Sequence, residues 1–334
     1  MTAPGQGYVF HSYGPERYVR YAVASVATLR RHDTARPVAL YCPPAHRRTL
    51  EHHGVADWFA RIEPLPEAHR SITGFKHHLH RFKPFERSLY VDADMIWCRN
   101  PDPLWQMLDA YSFTATGRKQ ADFFFGGPKS TAVVFDILLD RRRRTLEQFD
   151  LTYLPRVQAG MIYAHDQTTT RDVCEHAAHF LRRSDETHFR SRLNDDGRTE
   201  ETCEWSLAMA MSHLALPILP WWQGHYSPQL DYITGMTEHD EDFRTVRCRY
   251  YLSDFVYTLR GLETSWLRDA LIQMATRLPG CGDYMDVTPF TVHFGWLHHK
   301  APFHRFTERL WRHIVDGPSN DPAALPNAEP ATSA

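Results

Sequence analysis

Asp92 and Asp94 stand at the end of a short apolar run, Ser88-Leu89-Tyr90-Val91, which resumes as Met95-Ile96-Trp97. A run of that length with Tyr and Val predicts a buried strand. Carboxylates ending a buried strand are expensive unless they are paired, hydrated or metal-bound. At a spacing of two residues their side chains can point to one side. That makes a small oxygen-rich site suited to a hard divalent cation. Such a pair is also common near surface turns, so the surrounding chain has to decide what it is for.

The 334 residues are enough for one large α/β domain with a sizeable core. A formal charge of −2 argues against a general nucleic-acid binder, which needs a basic excess. The 21 histidines could make surface charge sensitive to mild acid. Six cysteines, Cys42, Cys98, Cys174, Cys203, Cys248 and Cys281, are scattered without a C-x-x-C pair. They indicate neither a zinc module nor a disulfide scaffold, and a cytoplasmic location is the simplest expectation. MTAPGQGYVF has no charged and then apolar leader, so no secretory signal is expected. The longest apolar neighbourhood, Leu214 to Trp222, is interrupted by Pro217 and Pro220, so no transmembrane segment is expected.

Strands and helices alternate around the acidic pair. Tyr8-Val9-Phe10 predicts a first strand, and Tyr18, Tyr21, Ala22, Val26 and Leu29 recur at helical spacing over Glu16 to His32. Val38 to Cys42 is a second strand, Ala45 to His53 a second helix, and Phe59 to Leu65 a third strand. Further on the pattern predicts a strand at Tyr111 to Thr116, one helix over Val133 to Phe149 and a helix at Arg171 to Arg183. Leu216 to Trp222 has the prolines of an edge strand. Alternation of this kind predicts a mostly parallel sheet with helices on both faces and ligands at its carboxyl edge. The run Arg141 to Arg144 reads as a solvated helix face offset by Asp136, Asp140 and Glu147.

The stretch Lys76 to Trp105 resembles the metal-binding segment of GT-A fold glycosyltransferases, the glycogenin-like family 8 group in particular. Lys76 precedes the Asp92-Ala93-Asp94 strand, and Asp102-Pro103-Leu104-Trp105 follows it. Tyr18-x-x-x-Ala22 with Thr28-Leu29-Arg30-Arg31-His32 is similar to that family's opening segment. Gln158-Ala159-Gly160-Met161-Ile162-Tyr163 resembles its Asn-x-Gly-apolar strand, with Gln in place of Asn. Thr291-Val292-His293-Phe294-Gly295 with Lys300-Ala301-Pro302-Phe303 resembles its carboxy-terminal His-x-x-Gly-x-x-Lys-Pro-Trp segment, with Gly one residue early and Lys one late.

The resemblance implies a single GT-A type domain over residues 1–316, with a Rossmann-like, mixed and mostly parallel sheet flanked by helices. Its nucleotide-binding part would span about 1–125 and its acceptor part about 126–316. Residues 317–334, rich in Pro, Ala, Ser and Asn, are expected to form a disordered tail. The implied enzyme is a hexosyltransferase that moves a sugar from a nucleotide donor, a UDP-sugar, to an unidentified acceptor with retention. Asp92, Asp94 and His293 would hold Mn2+ or Mg2+, the imidazole favouring manganese. Phe10, His11, Tyr13, Tyr18, Lys76, Ala93, Gln158, Gly160, Gly295 and Lys300 would contact the donor. Glu200, Glu201 and Glu204 are expected to open a helix through His213, and Glu204 matches the family's near-sugar acidic position. An acid there also suits the helix dipole.

Two other readings use the same residues. A haloacid-dehalogenase-type phosphatase also ends an apolar strand with D-x-D and needs magnesium. It usually wants Thr or Val next but one after the second Asp and the motif near the N-terminus, whereas Met95-Ile96 follow here and about ninety residues precede. A GT-A fold retained as a binding or scaffold protein would explain the altered Gln158 and Lys300 regions, against the intact Asp92, Asp94 and His293.

Overall fold

The computed structural model describes residues 5–127, 132–193, 199–259, 262, 264–295 and 299–316; the expected tail at 317–334 lies outside them. The first part of the chain follows its hydrophobic pattern. It runs β1 (Gln6–His11), α1 (Arg17–Arg30), β2 (Val38–Cys42), α2 (Pro44–His52), β3 (Arg61–Pro64), α3 (Ile72–Lys76), β4 (Arg87–Val91), β5 (Met95–Trp97), α4 (Asp102–Leu108) and β6 (Phe113–Arg118). The second part continues as α5 (Val133–Leu138), α6 (Arg141–Gln148), β7 (Arg156–Ala164), α7 (Gln167–Arg182), α8 (Glu204–His213), β8 (Leu219–Pro220) and β9 (Gln229–Asp231). It closes with β10 (Thr237–His239), β11 (Val246–Tyr251), α9 (Asp254–Leu259), α10 (Ser265–Ala275), β12 (Tyr284–Val287), β13 (Thr291–His293) and α11 (Ala301–Asp316).

Seven strands form the main sheet in the order β3-β2-β1-β4-β7-β6-β8. Of these only β7 runs against its neighbours, so the sheet is mixed and mostly parallel, as expected. Side chains alternate across it. Tyr8, Phe10, Leu89 and Val91 pack into one core with α1, while Val9, Tyr90 and Ile162 pack into a second with Phe75. Burial on both faces is the usual state of parallel strands, and it explains the continuous apolar runs read from the sequence. The edge position expected for the proline-bearing strand is occupied by β8, paired over two residues.

Several boundaries differ from the pattern. The single helix expected over Val133 to Phe149 is broken into α5 and α6 at Asp140, whose φ of 47° is left-handed. Helix α7 starts at Gln167 instead of Arg171, because the Asp166 carboxylate caps it by accepting from Thr169 N. Helix α8 starts at Glu204, leaving Glu200 and Glu201 in the segment ahead of it. Two three-stranded sheets, β10-β11-β12 and β5-β13-β9, were not signalled by any alternation. The second of these assembles the site.

Candidate active site

Strand β4 delivers Asp92 and Asp94 just beyond its carboxyl end. The Asp92 N–H donates to Gly160 O at 2.8 Å, which continues the β4–β7 ladder by one bond. Asp94 is tied down from the other side, its carbonyl accepting from Phe294 N at 3.0 Å. Strand β13 lies between β5 and β9, so His293 sits opposite both Met95 and Asp231. A residue two hundred positions downstream therefore reaches the acidic pair through sheet register.

The resulting polar cluster is compact. His293 Nε2 is 3.5 Å from Asp94 Oδ1 and 3.9 Å from Asp92 Oδ2, and Nδ1 is 3.2 Å from Asp231 Oδ1. Gln158 Nε2 donates to Asp231 Oδ1 at 2.7 Å. Lys76 Nζ lies 2.9 Å from Asp92 Oδ1 and donates to Ala159 O, also at 2.9 Å. Lys300 Nζ lies 2.6 Å from Asp94 Oδ2. Tyr90 OH donates to Asp92 Oδ1, adding a neutral donor to the same carboxylate.

These contacts set the ionisation of the cluster. Burial by itself would raise the Asp94 pKa, but Lys300 and His293 more than reverse this and hold the carboxyl well below its usual range. Burial would likewise discourage a proton on His293, yet Asp94 and Asp231 bring its pKa up to about 10. These neighbours favour the protonated imidazole, with Nε2 facing Asp94 and Nδ1 in contact with Asp231 Oδ1 and, at 2.7 Å, with Gln158 Nε2. Burial pulls His11 the other way, to about 3, with Lys76 helping, so that ring is neutral.

One oxygen each of Asp92 and Asp94 and one nitrogen of His293 lie within 4.8 Å of one another. Octahedral ligands at about 2.1 Å from a metal stand roughly 3.0 Å apart when adjacent and about 4.2 Å when opposite. The 3.5 and 3.9 Å separations from Nε2 fall inside that interval. Asp231 behind Nδ1 is the outer partner that a ligating imidazole usually has. Two carboxylates and an oriented imidazole therefore fit a divalent cation. Gly295 is required beside them, since a Cβ there would come within 2.5 Å of His293 Cε1.

The cluster opens into a cleft of about 320 Å³. Tyr18, Lys76, Asp92, Asp94, Gln158, Glu204, His293, Gly295 and Lys300 all line it, so most of the residues singled out in the sequence meet in one place. Others do not face it. Phe10 is fully buried in the α1 core, which leaves its side chain no surface for a ligand. His11 stacks on Phe75 at 4.3 Å, and Tyr13 OH donates to Glu200 Oε2 at 2.6 Å. Ala93 lies half-buried between the two aspartates, and Gly160 allows the Gln229 and Gln158 amides to approach the β7 backbone. Asp231, Arg156 and Arg192 line the same cleft without having been expected there. Asp231 gave no signal of its own, since Gln229-Leu230-Asp231 is three residues long with one apolar side chain.

No family model matches the sequence, and no curated protein matches it. Solved structures do resemble it in chain course. Galactosyltransferase LgtC, solved with donor and acceptor sugar analogues, is 11% identical at a TM-score of 0.48, covering 94% of this chain and 97% of that one. The glycosyltransferase GlyE of Streptococcus pneumoniae TIGR4 is 10% identical at a TM-score of 0.48, covering 94% and 63%. Mouse xyloside xylosyltransferase 1 is 10% identical at a TM-score of 0.44, covering 70% and 89%. At such values the likeness says nothing about chemistry, which has to come from the site itself.

Proposed function

We propose that this chain is a divalent-metal-dependent glycosyltransferase of the GT-A type. It would move a hexose from a nucleoside diphosphate donor, a UDP-sugar, to an acceptor with retention of configuration. The observation that carries this reading is the convergence of Asp92, Asp94 and His293 at the carboxyl end of a parallel strand, with Lys76 and Lys300 against them. The carboxyl edge is where ligands enter sheets of this type. Imidazole beside two carboxylates favours Mn2+ over Mg2+.

Bound there, the cation supplies positive charge against the diphosphate that leaves as the glycosidic bond breaks. The chain's own groups support the same task. Lys76 and Lys300 neutralise the two carboxylates, and they would be the ammonium groups nearest to phosphate oxygens if Asp92 and Asp94 held a cation. Tyr18, at the cleft edge and partly exposed, offers a ring face to the nucleotide base. Asp231 and Gln158 both contact His293 Nδ1 and leave Nε2 facing the aspartates. Glu204 opens α8 in the cleft wall and is the carboxylate best placed to steady positive charge on the sugar. The nucleotide-binding part, about 1–125, contributes the aspartates and Lys76, and the acceptor part, about 126–316, contributes His293, Lys300 and Glu204. Six cysteines without a disulfide support a reducing, cytoplasmic setting. No described helix is long and apolar enough to cross a membrane.

Calorimetry with UDP tests the reading. UDP is expected to bind with Mn2+ present and to lose most of its affinity in EDTA or in Asp94→Asn. Absent or metal-independent UDP binding overturns the reading. Phosphate release from phosphomonoesters without nucleotide binding would turn it towards the phosphatase, and UDP-sugar binding without transfer or hydrolysis towards a scaffold.

A further inference from the structure

Helix α5 is apolar on nearly every side, and little of it is covered. Val133 and Asp136, three residues apart, form its inner edge. Val134, Phe135, Ile137 and Leu138 point outward and are between 49% and 75% exposed. A soluble monomer rarely leaves a contiguous group of large apolar side chains in water without a use for it. Phe123, 63% exposed, adds to the apolar surface on the segment just ahead of it. That segment also holds Phe124, Phe125 and Gly126, which line the cleft, and Gly127, where a Cβ would stand 3.6 Å from the Asp136 carboxylate of α5, so the cleft rim and this helix are neighbours.

The next helix brings positive charge beside the apolar face. Helix α6 opens Arg141-Arg142-Arg143-Arg144, and Arg190 reaches the same inner carboxylate, Asp136, that Arg141 pairs with at 3.1 Å. Arg143 is matched by Asp140 at 2.7 Å and Glu147 at 3.6 Å. Arg142 donates to the Ala121 and Leu154 carbonyls and has no carboxylate partner among the described residues. The exposed Arg144 guanidinium has no partner among the described residues either. The run first read as an ordinary solvated helix face thus keeps a positive excess beside exposed Phe and Leu.

We propose that the α5–α6 face is a peripheral docking surface for an anionic lipid bilayer. Exposed apolar side chains enter the acyl boundary while adjacent arginines meet lipid phosphates, the combination that binds interfacial helices to negatively charged membranes. A second copy of this chain is the weaker occupant, because two such faces would set arginines against arginines. Docking here places the rim of the cleft beside the bilayer. The inference stands independently of the glycosyl-transfer reading.

Vesicle flotation of the full chain tests it, using phosphatidylcholine vesicles with and without phosphatidylglycerol. The protein is expected to float with the anionic vesicles and to stay behind with the neutral ones, and 0.5 M salt is expected to release it (~3-fold shorter screening length than at low salt). Phe135→Asp combined with Leu138→Asp, and separately Arg144→Glu, are expected to lower the bound fraction about tenfold and a few-fold respectively. Both variants should keep the wild-type melting temperature and UDP binding, since these side chains touch neither core nor cleft. No flotation of the wild type, or equal flotation of the Phe135/Leu138 variant, overturns the proposal. So does a concentration-dependent dimer that this variant abolishes, which would assign the face to self-association.

Discussion

Replacing Asp231 by Asn tests whether the buried acid behind His293 is part of a metal centre or only of a polar core. The change keeps the volume and one acceptor oxygen, so Gln158 Nε2, at 2.7 Å, keeps a partner. What disappears is a negative charge 3.2 Å from His293 Nδ1. Asp231 raises the His293 pKa through both a hydrogen bond and its charge, ranking behind the burial that lowers it and the charge of Asp94. Without it the ring is a poorer base and a less firmly aimed ligand. Outer partners of a ligating histidine are worth about 10–100-fold in metal affinity, or roughly 1.4–2.7 kcal/mol. Titration of Mn2+ into the protein by calorimetry should show a loss in that range for Asp231→Asn. Asp94→Asn, which removes a ligand, should lose more. Unchanged Mn2+ affinity in Asp231→Asn, alongside a clear loss in Asp94→Asn, would refute the role given to Asp231.

Other consequences follow from the same geometry. Lys300→Met removes the ammonium that competes for Asp94 Oδ2 at 2.6 Å. Bare Mn2+ should then bind more tightly while UDP binds roughly tenfold more weakly in its presence, and calorimetry separates the two. In Gly295→Ala the new Cβ meets a ring pinned by Asp231, so Mn2+ affinity should drop by about an order of magnitude, measured in the same titration. Acid should destabilise the metal-free protein. His11 and His77 are held near 3 and His188 near 4, by burial first, while the unfolded rings titrate near 6.5. Their contribution is complete above pH 6.5 and is lost as pH falls below it, because the unfolded state then binds more protons. Between pH 7.5 and 5.5 the three rings together cost about 4 kcal/mol. His293, raised to about 10, contributes in the opposite sense: its stabilisation is complete below pH 6.5 and fades as pH rises towards 10. It returns about 1 kcal/mol over the same interval, so a net loss of about 3 kcal/mol should appear in melting curves recorded in EDTA. Equal or higher stability at pH 5.5 would contradict these assignments.

The parts of the fold legible in the sequence are those whose physics is local. Strands β1, β2 and β4 are buried on both faces, so each contains an unbroken apolar run, and α1 shows a clear helical period. Helix α5 and helix α6 read as one because nothing in Leu139-Asp140 announces a left-handed Asp140. Strands β5, β9 and β13 are three residues each, too short for any periodicity, and only their pairing makes them a sheet. That is why Asp92, Asp94 and His293 were readable as residue types with a family resemblance, while Asp231 was not. Its meaning comes from lying opposite His293 in register. Phe10 shows the reverse limit, since chain position put it near the cleft but strand alternation turned its side chain into the core.

Holding one divalent cation against a nucleoside diphosphate is the role proposed for Asp92, Asp94 and His293. Its most direct test is a crystal structure with UDP and Mn2+, with the metal located by anomalous scattering. A single peak is expected roughly 2.0–2.3 Å from one oxygen of each aspartate and from His293 Nε2, with the diphosphate on its open side and Lys300 turned from Asp94 towards a phosphate. A metal bound elsewhere, or a diphosphate in the cleft with Lys76 and Lys300 still closing both carboxylates, would contradict it.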